Sequence, residues 1–235
     1  MISVCMATFN GEKYINEQIN SILVQLGTDD ELIISDDGST DKTMEIVKSY
    51  DDKRIKVYEN NGIHGYTHNF ENALKKASGD FIFFSDQDDV WLPDKVKKML
   101  PLLKKNNFVI TDAYLTNEKL EIKNQLSSWR RYKKGYFRNL YKSVYAGCTC
   151  AFTKNIKDYV LPFPTTLYIQ HDTWIGLICE LKFNVVYIDE PLIYFRRHDK
   201  NTSGAGARSS KSHFYMFKYR FVLFIETIKR IISKK

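Results

Sequence analysis

The sequence lacks several patterns that mark common classes of protein. It has no run of about 18 apolar residues, so it predicts no membrane-spanning helix. Its N-terminus has no charged leader followed by an apolar stretch, and we therefore expect no signal peptide. Its four cysteines form no CxxC pair and have apolar or small neighbours. Such cysteines indicate buried, reduced thiols of a cytosolic protein rather than a zinc site.

Two nucleotide-binding motifs are also missing. No GxGxxG follows an apolar strand, which argues against a dinucleotide-binding fold of the usual kind. No GxxxxGK[ST] is present, which excludes a P-loop. A nucleotide bound by this chain would therefore be held by carboxylates on its base and ribose rather than by glycines around its phosphates.

Short apolar runs alternate with helical periodicity along most of the 235 residues. The strand-like runs are 2–6, 32–34, 55–58, 81–84, 108–110, 147–152, 185–188 and 192–195. Alternating strands and helices predict one large α/β domain with a doubly wound, mostly parallel sheet and helices on both faces.

Acidic residues follow two of these predicted strands. Asp36 and Asp37 follow the second, and Asp86, Asp88 and Asp89 follow the fourth. In open α/β sheets, ligands bind at the carboxyl ends of the strands, so these acids are expected to converge. Carboxylates about 4 Å apart repel by roughly 4 kcal/mol near a protein surface, and Mg²⁺ or Mn²⁺ relieves that repulsion. The pattern favours a metal–diphosphate site; an acidic turn before a helix starting near Pro93 is the alternative.

Two later segments add candidate site residues. Asp172 lies near the start of a predicted helix, where it is either an N-cap or a general base. Arg196, Arg197 and His198 open a polar loop after the last predicted strand. This loop, which runs to Gly204, has enough cations to meet a diphosphate.

Much of the net charge of +7 lies in two blocks, 123–142 and 208–235. Basic and aromatic residues interleave in the first block, which favours a solvated face over contact with nucleic acid, carbohydrate or membrane. In the second, an apolar stripe predicts a basic amphipathic helix over 209–235: Phe214, Phe217, Phe221, Phe224, Ile228 and Ile231. Such a helix is expected on an anionic membrane face; docking on the domain or on a second subunit is the alternative.

Four segments resemble, in order, the motifs of family 2 glycosyltransferases with the GT-A fold. They are Ile2–Gly11, Ile33–Thr40, Ser85–Lys95, and the pair Gln170–Asp172 and Tyr194–His198, of which the last pair is most similar to rhamnosyltransferase-like members. The resemblance covers roughly residues 1–205. It implies a nucleotide-sugar-binding half at 1–112, an acceptor-binding half at 113–205 and the C-terminal helix at 206–235.

The resemblance implies an inverting transfer of a sugar from a nucleoside diphosphate donor. The best match is rhamnose from dTDP-rhamnose, and a UDP-hexose or UDP-N-acetylhexosamine is the alternative donor. The acceptor would be a hydroxyl of a cell-surface polysaccharide or lipid-linked glycan. The protein would act in the cytoplasm, on the inner face of the cell membrane, and a homodimer is a further expectation.

The resemblance also implies roles for individual residues. Donor contacts are expected from Ala7, Phe9, Asn10, Asp36, Asp37, Asp86, Arg196 and Arg197, with Asp37 accepting a hydrogen bond from the base. Mg²⁺ or Mn²⁺ would be held by Asp86, Asp88 and His198, and Asp172 matches the general base. Ala7 stands where some relatives have Thr, and Arg197 where the family often has Gln.

Two other classes of protein remain as alternatives. A haloacid-dehalogenase-type phosphotransferase would use Asp86 as a phosphorylated nucleophile, but it leaves the loop 36–40 unexplained. A non-catalytic polyanion-binding module would use the two basic blocks. The acids at the strand ends would repel nucleic acid, so we expect no nucleic-acid partner.

Overall fold

The computed structural model describes residues 1–166, 169–199, 201 and 212–234. The first half alternates strictly between strands and helices: β1 (Ile2–Thr8), α1 (Ile15–Leu23), β2 (Glu31–Asp36), α2 (Thr43–Lys48), β3 (Ile55–Glu59), α3 (Tyr66–Lys76) and β4 (Phe81–Asp86). These four strands pair only in parallel, in the order β3-β2-β1-β4.

The second half is less regular. It contains β5 (Val90–Trp91), α4 (Lys95–Leu103), β6 (Phe108–Thr116), β7 (Ile122–Gln125), α5 (Ser127–Arg130), α6 (Tyr136–Tyr141), β8 (Cys150–Thr153), α7 (Lys154–Val160), α8 (His171–Lys182), β9 (Val185–Arg196) and α9 (His213–Ser233). A single 3-10 turn, Gly147–Thr149, leads into β8.

All nine described strands belong to one sheet of order β3-β2-β1-β4-β8-β6-β9-β5, with β7 attached to β6. Because β8 is antiparallel to both β4 and β6, the strand β6 runs in the same direction as β4. The strand β9 is parallel to β6. The α/β fold with a mostly parallel sheet is therefore confirmed, with β5, β7 and β8 as the antiparallel strands.

Each face of the sheet carries its own hydrophobic core. Phe83 points into the layer formed with α1 and α4, whereas Ile82 and Phe84 point into the layer formed with α3 and α8. A strand covered by helices on both faces has no solvent side, which explains the continuous apolar run that precedes Asp86. The four cysteines are buried and free, as their sequence context predicts.

Three local predictions are wrong. The runs 185–188 and 192–195 form one strand, β9, whose register with β6 shifts between Thr111 and Asp112. Pro93 precedes the helix instead of opening it, since β5 pairs with β9 and α4 begins at Lys95. The sequence offers Ser39 or Thr40 as the N-cap of the helix after β2, but neither caps α2, which begins at Thr43 with Lys42 as its N-cap.

The chain shows no division between the two expected halves. The predicted boundary at 112/113 falls inside β6, and β4 connects to β6 through β8. A donor half and an acceptor half therefore share one sheet, and their separate roles stay a prediction. The described part of the C-terminal segment is α9, while 202–211 and Lys235 lie outside the described residues.

A close backbone contact at the start of β4 gives a test of this packing. The Gly79 amide donates to Ser3 Oγ at 2.7 Å, and a Cβ at 79 would lie 2.8 Å from the Ser3 nitrogen. We expect Gly79→Ala to lower the free energy of unfolding by about 1–3 kcal/mol, because a central strand has to shift. Denaturant unfolding measures the loss. Gly62→Ala is the control, since its nearest contact is a side-chain oxygen at 3.4 Å; equal losses would contradict the packing.

Candidate active site at the carboxyl edge of the sheet

The register of the parallel strands places the first acids side by side. Asp36 pairs with Thr8 across β2 and β1, and Asp86 pairs with Ala7 across β4 and β1. Neighbouring strands lie about 4.8 Å apart, so Asp36 and Asp86 stand roughly 10 Å from each other with the end of β1 between them. The predicted convergence of these strand ends is present in the fold.

The loop after β1 is fastened to the acidic turn after β4. The Phe9 amide donates to Gln87 Oε1, and Gln87 Nε2 donates to the Phe9 carbonyl, both at 2.9 Å. Gly11 permits this contact, because a Cβ there would lie 2.3 Å from Gln87 Oε1. The Phe9 ring itself is 54% exposed. The loop therefore presents an open aromatic surface beside the acids.

Asn10 and Asp36 join the loops after β1 and β2. The Asn10 amide donates to Ser39 Oγ at 2.9 Å, and Asn10 Oδ1 accepts from the Thr40 amide at 2.8 Å. Asp36 is buried and accepts from Thr8 Oγ1 and from the Ser39 amide and hydroxyl. Both residues thus shape the loops, and direct contact with a donor stays a prediction for them.

Asp37 faces the loop that follows β3. Its Oδ1 accepts from Asn60 Nδ2 at 2.7 Å and lies 2.9 Å from His64 Nδ1, while its Oδ2 accepts from the Gly65 amide at 2.7 Å. These contacts fix the orientation of a carboxylate at the edge of the sheet. These contacts do not test the predicted hydrogen bond between Asp37 and a nucleotide base, which stays a prediction.

Asp88 and His198 meet although they are 110 positions apart in the chain. His198 Nε2 lies 2.8 Å from Asp88 Oδ2, and Asn201 Nδ2 donates to the same oxygen at 3.1 Å. The imidazole stacks on Tyr14 with ring centroids 4.8 Å apart. The loop after β9 is thereby brought onto the acidic turn after β4. Of the predicted loop 196–204, positions 200 and 202–204 lie outside the described residues.

The two predicted arginines differ in their surroundings. Arg196 is buried, and its guanidinium donates to the carbonyls of Asp88 and Glu118 and pairs with Glu17. It therefore holds the acidic turn against the end of β9, and donor contact stays a prediction. Arg197 is partly exposed, with its guanidinium 6.0 Å from the centre of the Phe195 ring.

A buried cluster lies behind the acidic turn. Ligand atoms of Asp86, Asp89 and Cys148 lie within 4.8 Å of one another. Burial, with a further contribution from neighbouring Asp88, raises the pKa of Asp86 to about 7. Burial also raises the pKa of Asp89 well above its ordinary value. Asp89 Oδ1 accepts from the Arg196 amide at 3.0 Å, and its Oδ2 has no hydrogen-bond partner within the described ranges.

Lys95 supplies a positive charge to this cluster from α4. Its side chain is fully buried, its ammonium donates to the Cys148 carbonyl at 2.6 Å, and it lies 4.1 Å from the centre of the Trp91 ring. Burial lowers the pKa of Lys95 to about 8. The sequence predicted no role for Lys95 or Cys148: Lys95 ends the Ser85–Lys95 motif, but its burial beside these acids is not visible in the sequence.

Asp172, the predicted general base, lies at the start of α8. It is the second residue of α8, not its N-cap, which is Gln170. Its Oδ1 accepts from the Thr173 amide at 2.5 Å, and its carboxylate is one of the charges that raise the pKa of Asp86. The helix N-terminus stabilises a charged carboxylate here. The carboxylate predicted to act as the general base therefore interacts electrostatically with Asp86.

The chemistry of the predicted ligands Asp86, Asp88 and His198 fits a divalent cation, while the ligand atoms that lie within 4.8 Å of one another in the described residues are those of Asp86, Asp89 and Cys148. Asp86 and Asp88 offer carboxylate oxygens, and His198 offers the ring nitrogen that already contacts Asp88. The raised pKa of Asp86 reflects a buried carboxyl beside a like charge, which is the electrostatic condition that a cation relieves. Oxygen ligands with one imidazole suit Mg²⁺ or Mn²⁺.

A mixed sheet with acids at the carboxyl ends of β2 and β4 is the arrangement expected of the GT-A fold. The fold matches the crystal structure of S. aureus TarS 1-349 in complex with UDP-GlcNAc, at TM-score 0.71 and 21% identity, over 94% of this chain and 66% of that one. It also matches mannosyltransferase PcManGT from Pyrobaculum calidifontis in complex with GDP-Man and Mn²⁺, at TM-score 0.60 and 16% identity, over 99% and 64%. This chain therefore spans about two thirds of those structures.

The sequence profile of glycosyl transferase family 2 matches residues 3–158. This is more than half of the chain, which therefore belongs to that family and is a glycosyltransferase. It is 30% identical over 198 residues to an uncharacterized glycosyltransferase of Haemophilus influenzae, covering 83% of this chain and 79% of that protein.

Two further relatives have more specific names. UDP-Glc:alpha-D-GlcNAc-diphosphoundecaprenol beta-1,3-glucosyltransferase WfgD of Escherichia coli is 29% identical over 178 residues, covering 76% of this chain and 70% of that protein. The dTDP-rhamnosyl transferase RfbG of Shigella flexneri is 29% identical over 218 residues, covering 85% and 74%. Membership of this family disfavours the phosphotransferase and polyanion-binding alternatives.

The buried Lys95 predicts a measurable pH dependence. Between pH 8 and 10.5 the unfolded chain keeps a proton that the native ammonium has lost, so this group makes the free energy of unfolding rise with pH. We therefore expect the free energy of unfolding of the native protein, relative to that of Lys95→Met, to increase as the pH rises from 8 to 10.5. Urea unfolding at several pH values measures the difference. Lys97→Met removes an exposed cation of the same helix as a control; a flat difference for Lys95→Met would contradict the shift.

Proposed function

We propose that this protein transfers a sugar, with inversion, from a nucleoside diphosphate donor to a hydroxyl of a cell-surface polysaccharide or lipid-linked glycan. The observation that carries the proposal is the 2.8 Å contact between Asp88 and His198. It joins two distant loops at the edge where Asp86 and Asp172 also interact electrostatically. This edge would meet the two needs of a displacement reaction. Its acids would hold a metal ion that binds the leaving diphosphate, and Asp172 would act as the base for the acceptor hydroxyl.

In this proposal Asp86, Asp88 and His198 would hold Mg²⁺ or Mn²⁺. When bound, such a cation supplies Lewis-acid stabilisation of the departing diphosphate. Asp172 accepts the proton of the acceptor hydroxyl as that oxygen attacks the anomeric carbon from the opposite face. A positioned base of this kind typically contributes about 10²–10⁴-fold to the rate.

The proposed donor rests on the residues at the strand ends and on the names of two relatives. Ala7, Phe9 and Asp37 line the strand ends at which a base and ribose would lie, and Phe9 is exposed enough to stack on a base. We favour dTDP-rhamnose, because of the motif around Asp172 and the relative named dTDP-rhamnosyl transferase RfbG. WfgD, named for a UDP-Glc donor, supports the alternative of a UDP-hexose or UDP-N-acetylhexosamine.

Asp172→Asn tests the proposed chemistry. We expect the substitution to reduce transfer by at least about 10²-fold, because the amide cannot accept the acceptor proton. Donor affinity should stay nearly unchanged, since Asp86 and Asp88 are intact. Donor turnover and calorimetric binding, run on dTDP-rhamnose and UDP-sugars with Mn²⁺, measure the two effects.

Asp158→Asn is the control, because it changes an acid on α7 without entering the acidic edge. Comparable turnover by Asp172→Asn and the native protein would remove the base assignment. Failure of the native protein to bind any of these donors would remove the proposed function itself.

The surface of α9 supports a second part of the proposal, contact with a membrane. The predicted apolar stripe divides in the structure: Phe224 and Ile231 pack against the domain, while Phe214, Phe217 and Phe221 are 78%, 69% and 57% exposed. Thr166, Phe221, Val222 and Ile225 line a groove of about 430 Å³ on this outer face. A large exposed apolar patch of this kind marks an interaction surface.

Cations surround this face. Lys218 and Lys229 are exposed on α9, and Arg220 stacks over Tyr141 at 4.3 Å. Tyr141 also lines a groove with several basic side chains: Arg131, Lys133, Arg138 and Lys142. Aromatic side chains flanked by lysine and arginine suit an anionic lipid surface, whereas a second copy would bring two positive faces together. No helix in the described part of the chain is long and apolar enough to cross a bilayer. We therefore favour peripheral binding on the cytoplasmic leaflet over a homodimer.

Loss of the exposed aromatics should weaken this contact. We expect the double variant Phe217→Ser, Phe221→Ser to bind phosphatidylglycerol-containing vesicles about tenfold or more weakly, because two apolar anchors are lost. Vesicle co-sedimentation measures binding, and light scattering gives the oligomeric mass. Val24→Ser, which removes an apolar side chain 80% exposed on another surface, is the control. Unchanged sedimentation would contradict membrane contact, and a dimer lost only in the double variant would assign the face to a second copy.

A further inference from the structure

His171 is a buried polar side chain without a partner. It is the first residue of α8, immediately before Asp172, and is 5% exposed. Neither ring nitrogen has a hydrogen-bond partner among the residues that the structure describes. The ring packs among aromatic side chains, with centroids 4.2 Å from Phe70, 5.5 Å from Phe84 and 5.9 Å from Tyr66. These contacts explain why an aromatic ring fits at this position, but they do not explain why the ring has two polar nitrogens.

The missing hydrogen bonds have an energetic cost. A neutral imidazole has one N–H donor and one acceptor nitrogen, and burying either group without a hydrogen-bond partner is unfavourable. Burial lowers the pKa of His171 to about 3, so the ring is neutral near pH 7. A phenylalanine would fill the same aromatic surroundings without that cost. An unpaired buried polar group in a native protein therefore calls for a functional explanation.

The position of His171 indicates what its partner is. Phe84, which the ring contacts, lies two residues before Asp86 on β4. A Cβ at Gly147 would lie 2.5 Å from His171 Nε2, so this nitrogen is directed at the 3-10 turn Gly147–Thr149. The same turn carries Cys148, whose thiol lies with Asp86 and Asp89. His171 thus contacts the strand that ends at Asp86, faces the turn that carries Cys148, and directly precedes Asp172.

We propose that His171 Nε2 forms a hydrogen bond with a hydroxyl of the sugar being transferred, and so helps to select that sugar. The proposal rests on the proposed function. A sugar hydroxyl both donates and accepts, so it pairs with a neutral imidazole in either tautomer. Position 147 has no side chain, so the nitrogen faces only the backbone of the Gly147–Thr149 turn. Recognition of a hydroxyl by a buried polar group discriminates strongly against sugars that lack it.

His171→Phe and His171→Gln test this role by calorimetry with Mn²⁺. Each protein is titrated with a nucleoside diphosphate and with the nucleotide sugar that the native protein binds. We expect His171→Phe to keep its affinity for the nucleoside diphosphate and to bind the nucleotide sugar about tenfold more weakly. His171→Gln, which retains a donor and an acceptor, should recover part of that affinity. The thermal midpoint of His171→Phe should equal or exceed that of the native protein, because the unpaired polar group is gone.

Each remaining outcome has a defined meaning. Equal nucleotide-sugar affinity in the native protein and His171→Phe overturns the proposal, and so does an effect confined to the acceptor KM. Equal weakening of nucleoside diphosphate and nucleotide sugar assigns His171 a structural role and also overturns it. If the native protein binds no nucleotide sugar, the proposed function fails and this inference fails with it. If the native protein binds the nucleotide sugar and both variants bind it equally well, the inference about His171 is overturned while the proposed function stands.

Discussion

The contact between Asp88 and His198 is the interaction on which the site depends. It connects the turn after β4 to the loop after β9, and Arg196 reinforces it by donating to the Asp88 carbonyl at 2.8 Å. Strand β9 is not a neighbour of β4 in the sheet, because β8 and β6 lie between them. Without this contact the two predicted metal ligands, Asp88 and His198, would not meet, although Arg196 and Asn201 would still hold the acidic turn against the end of β9.

Electrostatic repulsion gives this edge its chemical character. Asp86 and Asp89 are desolvated beside Asp88, and the pKa of both is raised. Lys95 offsets part of this charge, although burial lowers the pKa of its own ammonium. A fold that buries like charges in this way is less stable without a counterion than with one, and it gains binding energy for a cation and diphosphate. Membership of family 2 and the GT-A fold show that the chain is a glycosyltransferase, and we propose that this cluster of acids serves its sugar transfer.

Much of the fold and part of the site could be predicted from the sequence. Strand runs such as Phe81–Phe84 and the acids that follow them are local signals, and parallel strands bring such acids to one edge. Asp37 and Asp88 were predicted as site residues from such signals, and their roles stay predictions. No role was predicted for His171, Lys95 or Cys148, because their burial and contacts become visible only in the packed structure. The division of the α9 stripe into inner and outer residues likewise depends on which helices it packs against.

The position of a bound metal tests the central claim most directly. Crystals grown with Mn²⁺ and a nucleoside diphosphate would give an anomalous difference map that locates the ion without reference to activity. The account predicts one strong peak within coordination distance of Asp88 and His198, with the diphosphate on its open side. A peak elsewhere on the surface, or a nucleotide bound away from the carboxyl edge of the sheet, would contradict it.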